Sequence, residues 1–426
     1  MEMEADLPDE VAPCRPIRWL PPHTPHHGEH PPSESALLDT LVYADDRTNA
    51  STTGAVTSTG HAIRLTFWAA RPPLLSYFTA HIPGLLRDGP ATPLDRLPRL
   101  LRTHADLALL RFPINWTNND YFLYCAADRF SRLLLLPALP ARLLSDRSIG
   151  LLRCPGQEEE EGRYFVAALR PTMPLGNYAV DLLDSESDTW STRPMHTESP
   201  PECGFGIPTN SLALPGSICW MDHGKGILIC DLLNGDDKVL RLIRFPVLVA
   251  PKQKRILGRD VGMGSDGCIR YMEVWAPGSD DRVTYTTQSQ DWGAAIATWL
   301  EPEKKWHITH QIKASDIAVD DSHSRLLLQH DVKATTKNPT LARLHAGHPA
   351  LSLHDDDVVY IMTKVNHTDD DSWVLAVDMR NKTLKGVAAL NTGRSFDHIF
   401  FPTEIFKLLG KEKRTTDATS PGGTAC

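Results

Sequence analysis

The sequence predicts an all-β fold, a propeller-like array of about five or six small antiparallel sheets with disordered N- and C-terminal tails. Two observations predict it. An apolar strand, a short polar turn and a second strand recur along the chain, most clearly over residues 178–190 and 373–384. The matched aspartates Asp181 and Asp231 stand about one four-stranded unit apart, roughly 40 to 50 residues. A single small sheet leaves one apolar face open, whereas several packed around an axis cover both.

Residues 1–35 are rich in Pro, His and acidic groups without periodicity, and are expected to be a disordered tail. Residues 36–406 are expected to form a single propeller-like domain, and residues 407–426 a second disordered tail. Residues 36–44 are apolar, and 62–69 alternate polar Arg64 and Thr66 with apolar neighbours as a half-buried strand does. A polar turn separates them at 48–60. After a Pro-rich link at 84–98, residues 105–112, 121–126 and 131–139 give the first repeat. The second runs through 163–169, 178–183 and Trp190. The third is the block 217–233, whose Asn234-Gly235 turn leads into 239–249 and offers the positive φ of a tight hairpin. The fourth includes 268–275, 294–300 and a strand from Trp306; the fifth, 358–364 and 373–390. Between Ile312 and Leu353 the pattern weakens, consistent with a degenerate sheet, an insertion or a short helix.

Composition narrows the function. Hydrophobic residues make up 41% and charged residues 23% of 426, which is enough for a sizeable core. With 44 Lys plus Arg against 53 Asp plus Glu and no dense basic tract, nucleic acid is excluded as the expected partner. The acidic start lacks the basic and apolar regions of a secretory signal. The apolar stretch 133–144 is broken by Pro137, Pro140 and Arg142, so no membrane span is expected. Eight scattered cysteines without C-x-x-C pairing read as reduced and mostly buried. The expectation is an intracellular protein, cytoplasmic or nuclear.

Three stretches resemble a plant family best known from grasses, domain of unknown function 1618: residues 57–64 (TSTGHAIR), 219–231 (CWMDHGKGILICD) and 377–384 (VDMRNKTL). In order and spacing they span residues 36–401. The resemblance implies no catalytic residues and no cofactor. More loosely, the repeats are similar to kelch and F-box-associated propellers, in which an apolar strand ending in Val-Asp precedes a turn and a Trp. No F-box helix pair is evident before Leu37, so that looser likeness does not extend to a ubiquitin-ligase receptor.

Candidate chemistry is weighed residue by residue. His23, His26, His27 and His30 could ligate a divalent metal, but a Pro-rich tail gives their rings no supporting shell, and a solvated tail is the expectation. Gly262, Gly264 and Gly267 fit G-x-G-x-x-G, yet the next residues continue as a strand rather than a helix, so a turn is expected. The runs 355–357 and 369–371 lack Ca²⁺-loop spacing and read as solvated turns, as do 158–161. Sequons begin at Asn49, Asn115, Asn366 and Asn381 and are taken as chance matches. Trp190, Trp220, Trp306 and Trp373 are expected to pack between sheets. Asp222, His223 and Lys225 could suggest proton transfer, but Gly224 and Gly226 beside them indicate a turn.

The resulting expectation is a non-enzymatic protein–protein interaction scaffold, a monomer whose loops hold another protein. No catalytic, cofactor-binding or metal-binding residues are assigned, and the partner-binding residues are unknown. The alternatives are a hydrolase- or lyase-like enzyme with an axial pocket, and a metabolite- or sugar-binding sensor. Strands near Leu41 and Phe67 are expected to complete the last sheet with residues 396–401, closing the ring.

Overall fold

The structure, a computed structural model, describes residues 36–405 apart from 84–96, 116–117, 127–130, 141–144, 155–161, 198–204, 223, 234–237, 249–253, 279–290, 329–340, 367–368, 392–395 and 397–399. The two expected tails and the Asn234-Gly235 turn lie outside the described residues. What is described is all-β, with one short α-helix, α1 (Asp321–Leu328), and three single 3-10 turns.

The strands come in consecutive antiparallel groups. The first holds β1 (Ala36–Ala44), β2 (Thr53–Val56), β3 (Ala62–Trp68) and β4 (Leu75–His81), in the order β2-β3-β4-β1 with β1 parallel to β4. Next come β5 (Arg99–His104), β6 (Leu107–Pro113), β7 (Asn119–Cys125) and β8 (Arg132–Leu135), then β9 (Ile149–Arg153), β10 (Tyr164–Thr172), β11 (Asn177–Asp184) and β12 (Thr189–Thr197). These are followed by β13 (Asn210–Leu214), β14 (Ser217–Asp222), β15 (Gly226–Asp231) and β16 (Val239–Arg244), and by β17 (Lys254–Met263), β18 (Ile269–Pro277), β19 (Gly293–Leu300) and β20 (Lys305–Lys313). The last group is β21 (His345–Leu351), β22 (Val358–Lys364), β23 (Asp371–Asp378) and β24 (Thr383–Asn391). After it, β25 (Phe400–Thr403) returns to pair antiparallel with β1, from Ala36↔Thr403 to Asp39↔Phe400. The N-terminal strand thus meets residues 400–403 as expected, but in the first sheet; the expectation that they complete the last sheet is corrected, because β21–β24 form a four-stranded sheet of their own.

Hydrogen bonding joins these groups into four sheets among the described residues, of nine, eight, four and four strands. The links inside the two large sheets are thin. One register position, Leu41↔Arg99, ties β1 to β5, and two, His196↔Val239 and Thr197↔Leu240, tie β12 to β16. The array of small antiparallel sheets expected from the sequence is present in this coarser, propeller-like form.

Packing explains why the middle strands read as continuous apolar runs instead of alternating ones. In β22 every residue is buried. Val359 and Ile361 face a core shared with Met272 and Ile296 of the preceding group, whereas Tyr360 and Met362 face one shared with Leu37 and Leu75 of the first. In β10, Phe165 and Ala167 pack with Ile218 and Trp220 of the next group, and Val166 and Ala168 with Leu107 and Leu109 of the one before. Remaining cores join the first two groups around Phe78 and Phe122, and β14–β15 to β18–β19 around Met221 and Tyr271. Each fully buried Leu, Ile, Val or Phe contributes about 1.5–3 kcal/mol. Both faces of a sheet thus supply stability, which requires neighbours on both sides.

The stretch directly after the Pro-rich link is the strand β5, which the sequence does not predict. The weak region 312–353 contains a short helix, α1, one of the expected alternatives, and also the strand β21. Among the described residues, no helix is long and apolar enough to cross a membrane.

Candidate functional site

The first strands of the groups after the first, β5, β9, β13, β17 and β21, neighbour one another in turn, and the pair β1–β25 stands between β21 and β5. On the axis they surround is a cavity of about 350 Å³. Its wall draws on β1 through Thr40, β5 through residues 99–102, the turn before β9 through Asp146 and Arg147, and the start of β13 through Asn210. It continues through residues 256–260 of β17, 348–350 of β21 and 400–402 of β25, with Phe396 beside them.

Backbone irregularity aims these side chains. In β5 the register slips between Leu100 and Arg102, so that Leu100 faces Leu110 and Arg102 faces Leu109. The slip puts Arg99 and Arg102, three residues apart, on the same face. Comparable bulges lie between Ile256 and Gly258 in β17 and between Gly347 and Pro349 in β21. Bulges collect where a strand must re-aim a side chain, often beside binding sites. At Gly258 the two bulged strands approach so closely that a Cβ would overlap Pro349 Cδ. His348, in the β21 bulge, has φ +40, a left-handed conformation that costs a non-glycine residue about 1–3 kcal/mol. Its Nε2 lies 2.7 Å from the Phe400 carbonyl, and its ring meets the Phe400 ring edge-on at 4.7 Å.

The charges on the wall fall into two sets. Asp146 accepts from Arg111 Nη1 and from Tyr121 Oη, the latter at 3.2 Å. Arg102 donates from Nε to Ser211 Oγ, from Nη1 to its neighbour's carbonyl at Leu101, and from Nη2 to the Arg147 carbonyl at 3.0 Å. Across the cavity, Arg259 donates through Nε to Tyr271 Oη at 2.8 Å and to Glu273 at 3.2 Å. Tyr271 Oη donates to Glu273 at 2.7 Å, and Lys254 pairs with the other Glu273 oxygen. Burial, together with the Glu273 charge, pushes the Tyr271 hydroxyl pKa up, so it remains a donor. Asp260 accepts the Leu351 amide at 2.9 Å and so bridges β17 to β21. Desolvation raises its pKa from 3.8 to about 6, against the backbone hydrogen bonds of Leu351 and Val261.

The residues singled out in the sequence fall elsewhere. His23, His26, His27, His30 and the run 158–161 lie outside the described residues. Gly264 and Gly267 form the hairpin turn between β17 and β18, with the Gly267 amide donating to the Gly264 carbonyl at 3.0 Å, so the dinucleotide reading fails as expected. Asp356 is committed to Arg270 at 2.5 Å and to Ser265, and Asp357 to His310 and Arg380. Asp369 accepts from the Asn366 amide and side chain. Asp222 accepts the Gly206 and Gly224 amides and shapes the β14–β15 turn; His223 is outside the described residues. The sequon residues Asn49, Asn366 and Asn381 likewise spend their side chains on turns. Trp220 and Trp373 are buried, and the indole N–H groups of Trp190, Trp220 and Trp306 donate to backbone carbonyls, in keeping with a packing role. Of the described cysteines, four are buried, and burial pushes Cys219 up to about 12 and Cys230 to about 11. Among the described residues, no cluster of His, Cys, Asp and Glu could hold a metal ion. No motif in the sequence marks the cavity residues Arg99, Arg102, Arg147, Asp260 and His348: bulges interrupt the alternation of β5, β17 and β21, and Arg147 comes from the short turn before β9.

Comparison with known proteins adds the following. Residues 220–360, from β14 into β22, match the family model described as "Protein of unknown function (DUF1618)". The resemblance carried by the 219–231 motif is borne out over that stretch. No curated protein matches the chain. Among solved structures, the chain is similar to a mutant of the Aleuria aurantia lectin AAL in complex with Fucalpha1-6GlcNAc, at 11% identity over 82% of this chain and 98% of that one, with a TM-score of 0.35. It is also similar to Penicillium chrysogenum alpha-L-arabinanase complexed with arabinobiose, at 11% identity over 80% and 82% of the two chains, TM-score 0.28. A third similar structure is Saccharomyces cerevisiae Sqt1, at 10% identity over 68% and 73%, TM-score 0.29.

Proposed function

We propose that residues 36–406 form one domain, a closed ring of six antiparallel sheets, and that it works as a non-enzymatic, monomeric scaffold holding another protein through loops at one end. The observation that carries this reading is the unbroken circuit of cores. Every group shares one apolar core with the group before it and another with the group after it, and the last shares its outer face with the first through Leu37 and Leu75. A frame clamped on all sides holds its loops in fixed relation, which is how rigid scaffolds build binding surfaces. The wall residues Asp146 and Arg259 are committed to ion pairs, Asp146 to Arg111 and Arg259 to the buried Glu273, which suits a structural role better than proton transfer.

In an antiparallel meander successive strands end alternately at the two ends, so the end of β15, the third strand of its group, and the end of β22, the second strand of its group, belong to opposite ends of such a ring; the loops to alter are 234–238 and 369–371. Affinity purification from native tissue with each loop altered separately tests the reading. Loss of one protein partner with one loop variant and its retention with the other is the expected result. Retention with both, in a protein that melts normally, would argue against these ends as the docking surface.

A second reading, a hydrolase- or lyase-like enzyme, is favoured by one residue. Asp260, with a pKa of about 6 on the wall of an arginine-lined cavity, has the raised value of a general acid or base. Turnover of any glycoside or ester by the purified chain that disappears in Asp260→Asn would establish this reading and displace the first.

A further inference from the structure

The axial cavity is lined by arginines and by apolar side chains, and the combination specifies a ligand. Arg99, Arg102, Asp146 and Arg147 line one wall, and Asp146 is paired with Arg111. Arg102 is half-buried, and its three hydrogen bonds all end on neutral oxygens, those of Ser211, Leu101 and Arg147. Burial draws its pKa down to about 10, with Asp146 opposing the shift, so it is cationic at neutral pH. A guanidinium withdrawn from water and solvated by dipoles alone is costly, and an opposite charge offsets that cost. The Arg147 side chain is exposed at the same wall. Ile256, Phe396 and Phe401, each half-buried, and the buried Pro349 line the same space. About 350 Å³ falls within the range of small-molecule sites.

We propose that the axial cavity binds a small organic anion, a carboxylate or phosphate ester carrying a planar apolar body, with its head group on Arg102 and Arg147 and its body against Phe396 and Phe401. A guanidinium offers paired N–H donors in the spacing of carboxylate or phosphate oxygens. The aromatic rings meet a planar body by offset or edge-on contact. The cavity lies on the axis and the protein-holding loops at the rims, so this proposal stands whether or not those loops hold a protein.

Titration calorimetry and thermal melting of the full chain at low ionic strength, with benzoate, phenyl phosphate, inorganic phosphate and benzamide as probes, test it. Benzoate or phenyl phosphate should bind and raise the melting temperature, with benzamide at least tenfold weaker. Either anion binding alone supports the proposal, and which of them binds identifies the head group. Arg147→Ala, at an exposed position, should weaken binding about tenfold while melting as the native chain does; Arg102→Gln should weaken it at least as much. Four outcomes would overturn the proposal: no binding of either aromatic anion at millimolar concentration, benzamide binding as tightly, inorganic phosphate matching phenyl phosphate, or affinity unchanged in both variants.

Discussion

The middle strands of each group and the strands on the axis are built from different chemistry. In β22 all seven residues are buried, and in β23 seven of eight are, with Val, Ile, Leu, Met and Trp packing on both faces. In β17 the sequence KRILGRDVGM is mostly half-buried, kinked by a bulge, and carries Arg259 and Asp260 on the cavity wall. β5 and β21 repeat the arrangement, with Arg102 after one bulge and His348 within the other. The difference teaches a division of labour. Stability comes from flat apolar strands held between neighbours, while the bulged axial strands give up alternation and burial to point polar groups at one space.

The largest test of that division is deletion of residues 36–70. β1 alone pairs with β4, β5 and β25, and Leu37 belongs to the core that seals the last group against the first. Its removal should abolish the cooperative thermal transition, as followed by calorimetry; an unchanged melting temperature would refute ring closure through β1. Next in size is Leu375→Ala at the fully buried centre of β23, which should cost about 2–5 kcal/mol in denaturant unfolding. A cost below about 1 kcal/mol would show that the middle strands do not dominate stability.

The same contrast explains what the sequence made legible. Residues 178–183, 294–300 and 358–364 read as strands because both faces are apolar and no register slip interrupts β11 or β22. β5 is hidden in the sequence because a Pro-rich segment precedes it and its arginines are spaced by three, a period that fits no strand without the bulge at Leu100 and Arg102. β21, HAGHPAL, has Gly, two His and Pro, all poor strand formers, and is held in place by pairing with β22 and by Asp260 from β17. Local propensity lost there to tertiary contacts. The candidate cavity is illegible for the same reason, since its residues come from separated segments between Thr40 and Pro402 and share no motif.

Smaller effects sharpen the comparison on the axial side. Gly258→Ala adds one methyl where β17 meets Pro349, and either the bulge or Pro349 must move, at a cost of about 1–3 kcal/mol. Ala at Gly54, where the nearest atom is the Ile63 carbonyl oxygen at 3.2 Å, should cost less. A reversal of that order in matched urea titrations would mean that the β17–β21 contact is loose.

The smallest effect at neutral pH belongs to Asp260, and its sign is what makes it useful. Its folded pKa of about 6 stands above the ordinary 3.8 because of desolvation, with no charged group contributing. Between those values the folded chain holds a proton that the unfolded chain has released, so the stability this carboxyl contributes is present below about pH 4 and is lost as pH rises through about 6. Asparagine keeps an oxygen for the Leu351 amide and stays neutral throughout. The stability of Asp260→Asn relative to the native chain should therefore rise between pH 4 and 7, by a modest amount because the side chain is only half-buried and water screens it. A paired series of melts across that range decides the matter. A flat or falling difference would place Asp260 in a solvated setting, and the axial cavity would then be wetter and less able to strengthen the charges on its wall.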